Sequence, residues 1–291
     1  MKNTYDIQFQ EAEFMKIIKS QTIYEKVQEK LEEINTNLNT NTQKLFENYT
    51  GPFANEIREN IRIAKEKKIP LCQDTGIVEF FVFKPYDLSL EEPLQRTLYR
   101  AVKDTYEKNG YRKSTVLDPL YSRINKMDNL PAIIHEFEIE NSDVLEIWMI
   151  AKGGGSENLS ALYMILPSST EDDVINIVVQ HVLKNGPNAC PPINVGIGIG
   201  GTADMAILIS KLALFTDEYF PKLPYLERYD NLAKKLHLFI NELHIGVQAL
   251  GFGSTCQSVK VYAYPTHIAT LPMAISVDCY LSRTGRVVIN A

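Results

Sequence analysis

A segment rich in glycine and proline, residues 188–202, most constrains what this chain can fold into. It contains the spacing G-x-G-x-x-G of a dinucleotide-binding turn, at Gly196, Gly198 and Gly201. An acidic residue of the kind that such a turn uses follows about 20 residues later, as Asp217 or Glu218. However, the preceding strand would span only 193–195, because the Pro-Pro pair before it cannot donate to a sheet ladder. The segment therefore argues against a βαβ unit that opens on a nucleotide.

The rest of the chain mixes helical and strand patterns without strict alternation. Apolar residues recur at helical spacing over 12–36, and β-branched and aromatic residues fill 77–83. Strands are also predicted at 133–139 and 144–151, and the tetrapeptide between them is typical of a hairpin. Further helices are predicted at 57–68, 90–108, 171–184, 203–214 and 229–243, and further strands at 258–264 and 272–277. We expect an α+β (irregular α/β) fold, in which a mixed sheet is flanked by helices.

No shift in composition and no low-complexity linker divides the chain. We therefore expect one catalytic domain over residues 1–291, of which residues 1–66 form a mainly helical N-terminal portion.

The composition excludes several classes of function. The chain carries 36 acidic and 30 basic residues, a net charge of −6, which gives no electrostatic reason to bind nucleic acid or an anionic membrane. No apolar run approaches the roughly 18 residues of a spanning helix, and the first residues lack the apolar core of a secretory signal. We expect a cytoplasmic protein whose thiols stay reduced.

Chemically reactive side chains are concentrated in three short stretches. Residues 72–76 read Cys-Gln-Asp-Thr-Gly directly before a strand, a place where loops often carry catalytic groups, although the same residues make good turns. Residues 152–158 read Lys-Gly-Gly-Gly-Ser-Glu-Asn, and three glycines favour a backbone that approaches an anion closely. The third stretch is Cys190 with its Pro-Pro pair and glycine run, which fits a cofactor ligand beside a substrate loop.

The four cysteines carry no motif by spacing alone. They form no C-x-x-C pair, which argues against a zinc ribbon, and each taken singly is more often an inert thiol than a ligand; they are Cys72, Cys190, Cys256 and Cys279.

Taken in order, these motifs resemble a known family. The stretches 72–76, 152–158 and 189–201, followed by His267 within Pro-Thr-His-Ile-Ala and by Cys279, are similar to the class I, iron–sulfur fumarate hydratases, in their α subunit or N-terminal domain. The resemblance implies an enzyme of the tricarboxylic acid cycle that interconverts fumarate and (S)-malate. It also implies a [4Fe–4S] cluster, with one iron lacking a protein thiolate, on Cys72, Cys190 and Cys279.

The resemblance further implies roles for individual residues. Asp74 and His267 are expected to be catalytic, and Asp74 belongs to the acid/base relay. The substrate-binding residues are expected to be Gln73, Arg112, Gly155 and Lys152. Cys256 matches no ligand of the family. His135 lies on the apolar face of its predicted strand, and we interpret it as a core histidine.

The family places further substrate-binding residues in a smaller β portion, which this sequence does not contain. We therefore expect a separate β subunit in an α2β2 assembly or with an α–α contact, and a small dicarboxylate as substrate. An arginine pair that the family shows after the third cysteine is separated here into Arg283 and Arg286.

Three alternatives remain at the level of sequence. The L(+)-tartrate dehydratase α subunit shares the cluster chemistry, although Lys152 and the Ser-Glu-Asn that follows the glycines favour fumarate. A nucleotide-binding oxidoreductase would use Gly196–Gly201. A non-catalytic scaffold would carry inert cysteines.

Overall fold

The computed structural model describes residues 17–140, 142–215 and 227–290. The strands are β1 (Ile17–Ile18), β2 (Ile77–Pro85), β3 (Ser89–Leu90), β4 (Ile133–Ile139), β5 (Val144–Lys152), β6 (Ala161–Ile165), β7 (Ile193–Gly200), β8 (Cys256–Tyr264), β9 (Leu271–Asp278) and β10 (Thr284–Asn290). The helices are α1 (Ser20–Thr36), α2 (Thr40–Glu47), α3 (Ala54–Lys67), α4 (Leu94–Lys108), α5 (Gly154–Glu157), α6 (Glu171–Asn185), α7 (Ala203–Leu212) and α8 (Glu227–Asn241). None of these described helices is long and apolar enough to span a bilayer.

Two four-stranded mixed sheets form the framework. The first sheet has the order β10–β5–β2–β4, with β2 parallel to β4 and antiparallel to β5. The second sheet has the order β6–β9–β7–β8, with β7 parallel to β8 and antiparallel to β9. The structure thus confirms the predicted α+β class, with two mixed sheets instead of one.

Helices and sheets alternate in layers. One face of the first sheet packs on α1 and α4 through apolar side chains such as Phe80 and Leu98. The opposite face, with Phe81 and Trp148, packs on α7. The second sheet buries Val195 and Ile197 against α6 and α8. Helix α7 therefore lies between the two sheets.

Glycines in β7 let α7 approach the second sheet. A methyl group on Gly196 would stand 2.1 Å from the carbonyl oxygen of Ser210, and one on Gly198 would stand 2.1 Å from that of Ala206. Every residue of β7 is buried. These two glycines thus belong to a sheet interior on which a helix packs, and they do not form a phosphate-binding turn. The acidic candidates Asp217 and Glu218 lie outside the described residues.

Two sequence predictions about strands are wrong. The strands 133–139 and 144–152 do not form a hairpin, because β2 lies between them in the sheet. Strand β2 is buried along nearly its whole length and so takes the centre, whereas β4 is only partly buried and takes the edge. Strand β7 extends to Gly200 instead of ending at 195. The predicted helix over 12–36 is described only from Ser20, and its first residues lie outside the described part of the chain.

Candidate functional site

A cavity of about 740 Å³ is lined by residues of β2, β4, α5 and α7 and by the turn that precedes β2. Its lining includes four carboxylates, from Asp74, Glu79, Glu157 and Asp204, and three basic side chains, from Arg112, Lys152 and Lys211. A cleft of this size with convergent polar groups is the usual form of a small-molecule site.

Asp74 is held by backbone donors on two sides. Its Oδ2 accepts a hydrogen bond of 2.9 Å from the N–H of Gly154, and its Oδ1 accepts one of 3.1 Å from the N–H of Gly76. The hydroxyl of Ser114 lies 3.5 Å from the same Oδ1. A methyl group on Gly153 would stand 3.0 Å from Oδ2. The glycines at 153–155 therefore do bring backbone close to an anion, and that anion is the carboxylate of Asp74.

Hydrogen bonds from Thr75 to Arg112 and from Tyr106 to Thr75 fix the turn that carries Asp74. The Thr75 hydroxyl donates to the carbonyl of Arg112 at 2.7 Å, and the Tyr106 hydroxyl donates to the carbonyl of Thr75 at 2.7 Å. Gly76 has a φ of +76°, and a methyl group there would stand 2.4 Å from the carbonyl oxygen of Lys152. The glycine that ends the 72–76 motif is thus required by the close contact between this turn and the end of β5.

A chain of ion pairs forms another wall of the cavity. Glu79 shares a hydrogen bond of 2.9 Å with Nε2 of His135 and accepts one of 2.8 Å from Nζ of Lys211. Lys211 lies 3.3 Å from Glu157, which also accepts a bond of 2.7 Å from Nζ of Lys152. This series of ion pairs joins β2 and β4 of the first sheet to α7 and to the glycine turn.

Opposing charges govern the titration of this network. Burial would raise the pKa of Glu79, but the hydrogen bond from His135 and the charge of Lys211 outweigh it and hold the pKa below its usual range. Burial would likewise lower the pKa of Lys211, but the charges of Glu79 and Glu157 raise it. Both side chains are therefore ionised at neutral pH.

The prediction that His135 is a core histidine is wrong. Its imidazole stacks on Phe81 with ring centroids 5.1 Å apart, but one third of the side chain is exposed and lines the cavity. The alternation that placed His135 on the face of Ile133 was right. At Ile133 and His135 this face of β4 borders the cavity, whereas Phe137 and Ile139 on the same face pack against the apolar cluster around Phe81.

Three of the four cysteines converge on Tyr280. Cys72 and Cys279 pack with Tyr280 against one apolar cluster, and the carbonyl of Cys190 accepts a hydrogen bond of 3.3 Å from the N–H of Tyr280. Burial raises the pKa of the Tyr280 hydroxyl, and the charges of all three thiols add to this effect. The structure thus brings together Cys72, Cys190 and Cys279 from three separate turns.

The fourth cysteine is sequestered. Cys256 is buried at the start of β8, and its thiol donates to the carbonyl of Ser258 at 3.2 Å. Burial raises its pKa to about 12.

The donor set around Tyr280 fits an iron–sulfur cluster. Within the three described ranges, no group of His, Cys, Asp and Glu could hold a single metal ion. A cluster makes a different demand, because each thiolate binds its own iron. Burial raises the pKa of Cys279 to about 12, with Asp278 adding to the effect, and a metal is the partner that ionises such a thiol.

A buried polar centre lies directly beside Cys279. Asp278 is buried; its Oδ1 accepts bonds from the Cys279 N–H and from Ser156, and its Oδ2 has no hydrogen-bond partner among the described residues. Burial raises the pKa of Asp278, while the charges of Lys152 and Arg283 lower it. Arg283 is itself buried, and its guanidinium donates to Asn35 at 3.2 Å.

The remaining predicted site residues are placed unequally. Arg112 is exposed and lines the cavity, and Gln73 and Gly155 are exposed on the turns that carry Asp74 and the glycines. Lys152 lines the cavity but is buried and paired with Glu157.

His267 lies apart, in the exposed β8–β9 connection beside a second cavity of about 430 Å³. The structure of this chain therefore does not bring His267 to Asp74.

Sequence reasoning missed Glu79, Lys211 and Arg283. Glu79 interrupts an otherwise apolar strand, which is a signal that a buried carboxylate needs partners. Lys211 occurs near the end of a predicted helix, where a lysine is ordinary. Arg283 stands four residues after Cys279, and only its burial distinguishes it from a surface arginine.

The structure places an anchored carboxylate in the same turn as one of three converging thiols, and the comparisons show that the protein is an enzyme of the hydro-lyase class. The chain belongs to the fumarate hydratase family, whose model, described as fumarate hydratase (Fumerase), matches residues 15–288. The resemblance inferred from the motifs is thereby confirmed.

Two curated relatives show how far the similarity extends. The chain is 36% identical over 235 residues to "Putative L(+)-tartrate dehydratase subunit alpha" of Methanocaldococcus jannaschii, covering 78% of this chain and 80% of that protein. It is 28% identical over 240 residues to the L(+)-tartrate dehydratase subunit alpha of Escherichia coli K12, and the alignment covers 80% of this chain and 77% of that protein.

Proposed function

We propose that this chain is the α subunit of a [4Fe–4S]-dependent hydro-lyase that interconverts fumarate and (S)-malate and is completed by a separate β subunit. The observation that carries the proposal is the position of Asp74. Its carboxylate is fixed at the cavity by two backbone N–H groups, and it belongs to the same short turn as Cys72.

Asp74 would move the proton in this reaction. Removing water from malate requires abstraction of a weakly acidic proton on carbon, and a positioned carboxylate contributes by accepting it. The bonds from Gly154 and Gly76 fix the orientation of the carboxylate, and Ser114 lies within 3.5 Å of its Oδ1. A proton acceptor held in one orientation loses no freedom in the transition state.

Charged and polar groups at the cavity would bind the substrate carboxylates. Arg112 presents a guanidinium fork, which suits a carboxylate. Gln73 and the N–H of Gly155 would add hydrogen bonds, since both lie on the turns that frame Asp74. Lys152 is paired with Glu157 and would act by its charge.

Cys72, Cys190 and Cys279 would hold the cluster. When bound, it would supply a Lewis-acid iron without a protein thiolate, which makes hydroxide a better leaving group. The turns that hold the cysteines are joined by Gln257, whose amide donates to the carbonyls of Pro192 and Tyr280 at 3.0 and 3.1 Å. This bridge supports a fixed spacing between Cys190 and Cys279.

Two further elements of the proposal concern partners. The relatives are named as alpha subunits, which supports a β subunit here. We also propose that the two subunits form an α2β2 assembly. His267 would reach substrate across a contact between subunits, because within this chain it lies beside a separate cavity.

A cluster with an accessible iron would be oxygen-sensitive, which is consistent with a reducing cytoplasm.

The test measures iron and acid-labile sulfide after anoxic reconstitution. We expect about four of each per chain, from the composition of the cluster. Both should be lost in Cys72→Ser, Cys190→Ser and Cys279→Ser and retained in the matched control Cys256→Ser. Full iron content in any of the first three variants would contradict the ligand set.

L(+)-tartrate is the second candidate substrate, because the curated relatives described above carry that name. Rates with fumarate, (S)-malate and L(+)-tartrate, measured on the assembled enzyme, decide between the two. A higher kcat/KM with L(+)-tartrate would overturn the assignment of fumarate and leave the hydro-lyase chemistry intact.

A further inference from the structure

Asp278, the last residue of β9, is a buried carboxylate that takes no part in the proposed proton transfer. It is 2% exposed, and buried aspartates are rare unless other groups pair with them. Its Oδ1 accepts hydrogen bonds from the N–H of Cys279 at 2.9 Å and from the Ser156 hydroxyl at 3.3 Å. No described residue donates to its Oδ2. The bonds that this buried group does make therefore lead to two turns of the candidate site.

One of them, residues 153–157, is the glycine turn, and it has little stability of its own. Its helix α5 has only four residues, two of them glycine, and its N-terminal cap Gly153 has no side chain. Isolated helices shorter than about 12–15 residues are marginal in water, and glycine is a poor helix former. The position of this turn therefore depends on bonds from other parts of the chain.

Two carboxylates bind the glycine turn from outside it. The N–H of Gly154 donates to Oδ2 of Asp74 at 2.9 Å, and the Ser156 hydroxyl reaches Oδ1 of Asp278 two residues later. The same hydroxyl lies 3.2 Å from the carbonyl oxygen of Gly153. Ser156 is 3% exposed, so solvent has little access to these bonds. The turn thus connects a carboxylate at the cavity with a carboxylate in the interior.

Asp74 also has an anchor that does not involve the glycine turn. Its Oδ1 accepts from the N–H of Gly76, which lies two residues further along the chain. Loss of the bond between Ser156 and Asp278 should therefore loosen one oxygen of Asp74 and leave the other held. The two glycine N–H groups report separately on the two oxygens.

We propose that Asp278 is a positioning residue: through Ser156 it fixes the glycine turn, and through the N–H of Gly154 it fixes the orientation of the Asp74 carboxylate. The inference deepens the proposed function and rests on it only for the role of Asp74 in turnover. It adds that this carboxylate is placed from the turn of Cys279, because one oxygen of Asp278 accepts from both turns.

The first test measures amide hydrogen exchange in the full chain by NMR, with isotope labelling of its 15 glycines. Ser156→Ala should speed exchange of the Gly154 N–H about 10-fold, which is the scale of one lost hydrogen bond, and leave that of Gly76 unchanged. Unchanged exchange at Gly154, or equal acceleration at both glycines, would overturn the proposal.

The matched control is Ser276→Ala. Ser276 is also buried, lies on β9 with Asp278 and shares a hydrogen bond of 2.8 Å with the hydroxyl of Ser210. This variant also loses one buried hydroxyl bond, but not at the glycine turn, so exchange at Gly154 should stay as in the wild type. Acceleration as large as in Ser156→Ala would mean that any loosening of β9 reaches Gly154, which contradicts a specific link.

A second variant tests the route through Ser156. Asp278→Ala should speed exchange at Gly154 by a similar factor of about 10-fold. Combined with Ser156→Ala it should have no further effect, because each substitution removes the same link. Factors that multiply to about 100-fold would show that Asp278 acts on the turn by another route, and the proposal would fail. If Asp278→Ala does not fold, the Ser156 variant and its control still decide.

Turnover of the assembled enzyme separates this proposal from the proposed function. In Ser156→Ala, kcat for fumarate should fall about 10-fold while iron and sulfide stay at their wild-type values. Loss of iron from this variant would assign the hydroxyl to support of the cluster and would overturn the positioning role. Full turnover of Asp74→Asn would instead remove the proton carrier of the proposed function, and amide exchange at Gly154 would still decide the role of Asp278.

Discussion

Gly153 and Gly198 are both glycines in dense glycine stretches, but different atoms approach them. A methyl group on Gly153 would meet the carboxylate of Asp74 at 3.0 Å and the guanidinium of Arg283 at 3.6 Å. One on Gly198 would meet the carbonyl oxygen of Ala206 at 2.1 Å and the side chain of Ile209 at 2.6 Å. The first glycine admits a polar group of the candidate site, and the second admits a helix. Glycine therefore leaves space for a carboxylate of the candidate site in one region and for a closely packed helix in the other.

The two regions are nevertheless connected through α7. The helix rests on the glycines of β7, and its Lys211 reaches the ion pairs that hold Glu157 and Lys152. Close packing on the second sheet thus sets the position of a charge in the cavity. Substitutions in the two regions should separate loss of activity from loss of stability.

The largest effect is expected from Asp74→Asn. It should lower kcat/KM of the assembled enzyme by about 10²–10⁴-fold, because a positioned general acid or base contributes that much. Turnover of fumarate measures it, and urea unfolding should shift by less than about 1 kcal/mol, as for surface groups of modest burial. A loss of activity below about 10-fold would show that Asp74 is not the proton carrier.

Gly198→Ala should destabilise the chain by about 3 kcal/mol, since the new methyl group would overlap backbone that cannot move without shifting α7. Denaturant unfolding measures it. The matched control is Gly155→Ala, where the methyl group meets only the carbonyl oxygen of Asn188 at 3.4 Å and stability should stay nearly constant. Equal destabilisation by both substitutions would remove the distinction between the two glycine stretches.

Glu79→Gln should cost about 1–3 kcal/mol at pH 7, because Lys211 and His135 lose a charged acceptor. The pKa of Glu79 is lowered in the folded state, so its contribution is present above the ordinary glutamate pKa of about 4.3 and is lost as the pH falls through the lowered value. Unfolding of wild type and variant at pH 7 and pH 3.5 should show the difference shrinking in acid. A difference that grows in acid would contradict the ion-pair assignment.

The smallest effect is expected from Gly153→Ala. The added methyl group should displace the carboxylate of Asp74 by a few tenths of an ångström and lower kcat/KM about 10-fold, which corresponds to about 1.4 kcal/mol. Stability should change by less than about 1 kcal/mol. Unchanged turnover together with lower stability would mean that this glycine serves packing, as Gly198 does.

The sequence predicted most elements because their periodicity is local. Strand β2 and helices such as α4 and α6 carry clear apolar patterns, and their positions are right to within a few residues. The pairing of strands is not local, which explains the wrong hairpin between β4 and β5: nothing in the tetrapeptide between them shows that β2 intervenes. The strand predicted at 193–195 is too short, because glycine is a poor strand former. Glycine suits β7 only because α7 packs closely on this strand, which the sequence of the strand does not show.

The site was predictable to the extent that its motifs are contiguous. Cys72, Gln73 and Asp74 stand together in the sequence, and so do Lys152 and the glycines. The network of Glu79, Lys211 and Glu157 joins residues that are up to 132 positions apart. The exposed or buried state of a single arginine such as Arg283 also depends on the complete fold.

Asn35, at the end of α1, ties the N-terminal helix to both sides of the thiol site. Its backbone carbonyl accepts from the N–H of Leu71 at 2.8 Å, one residue before Cys72, and its side chain accepts from Arg283, four residues after Cys279. A shortened chain that begins after α1 would leave both donors unpaired in a buried setting. A fragment that is meant to keep Cys72 and Cys279 in their places must therefore retain the first described helix.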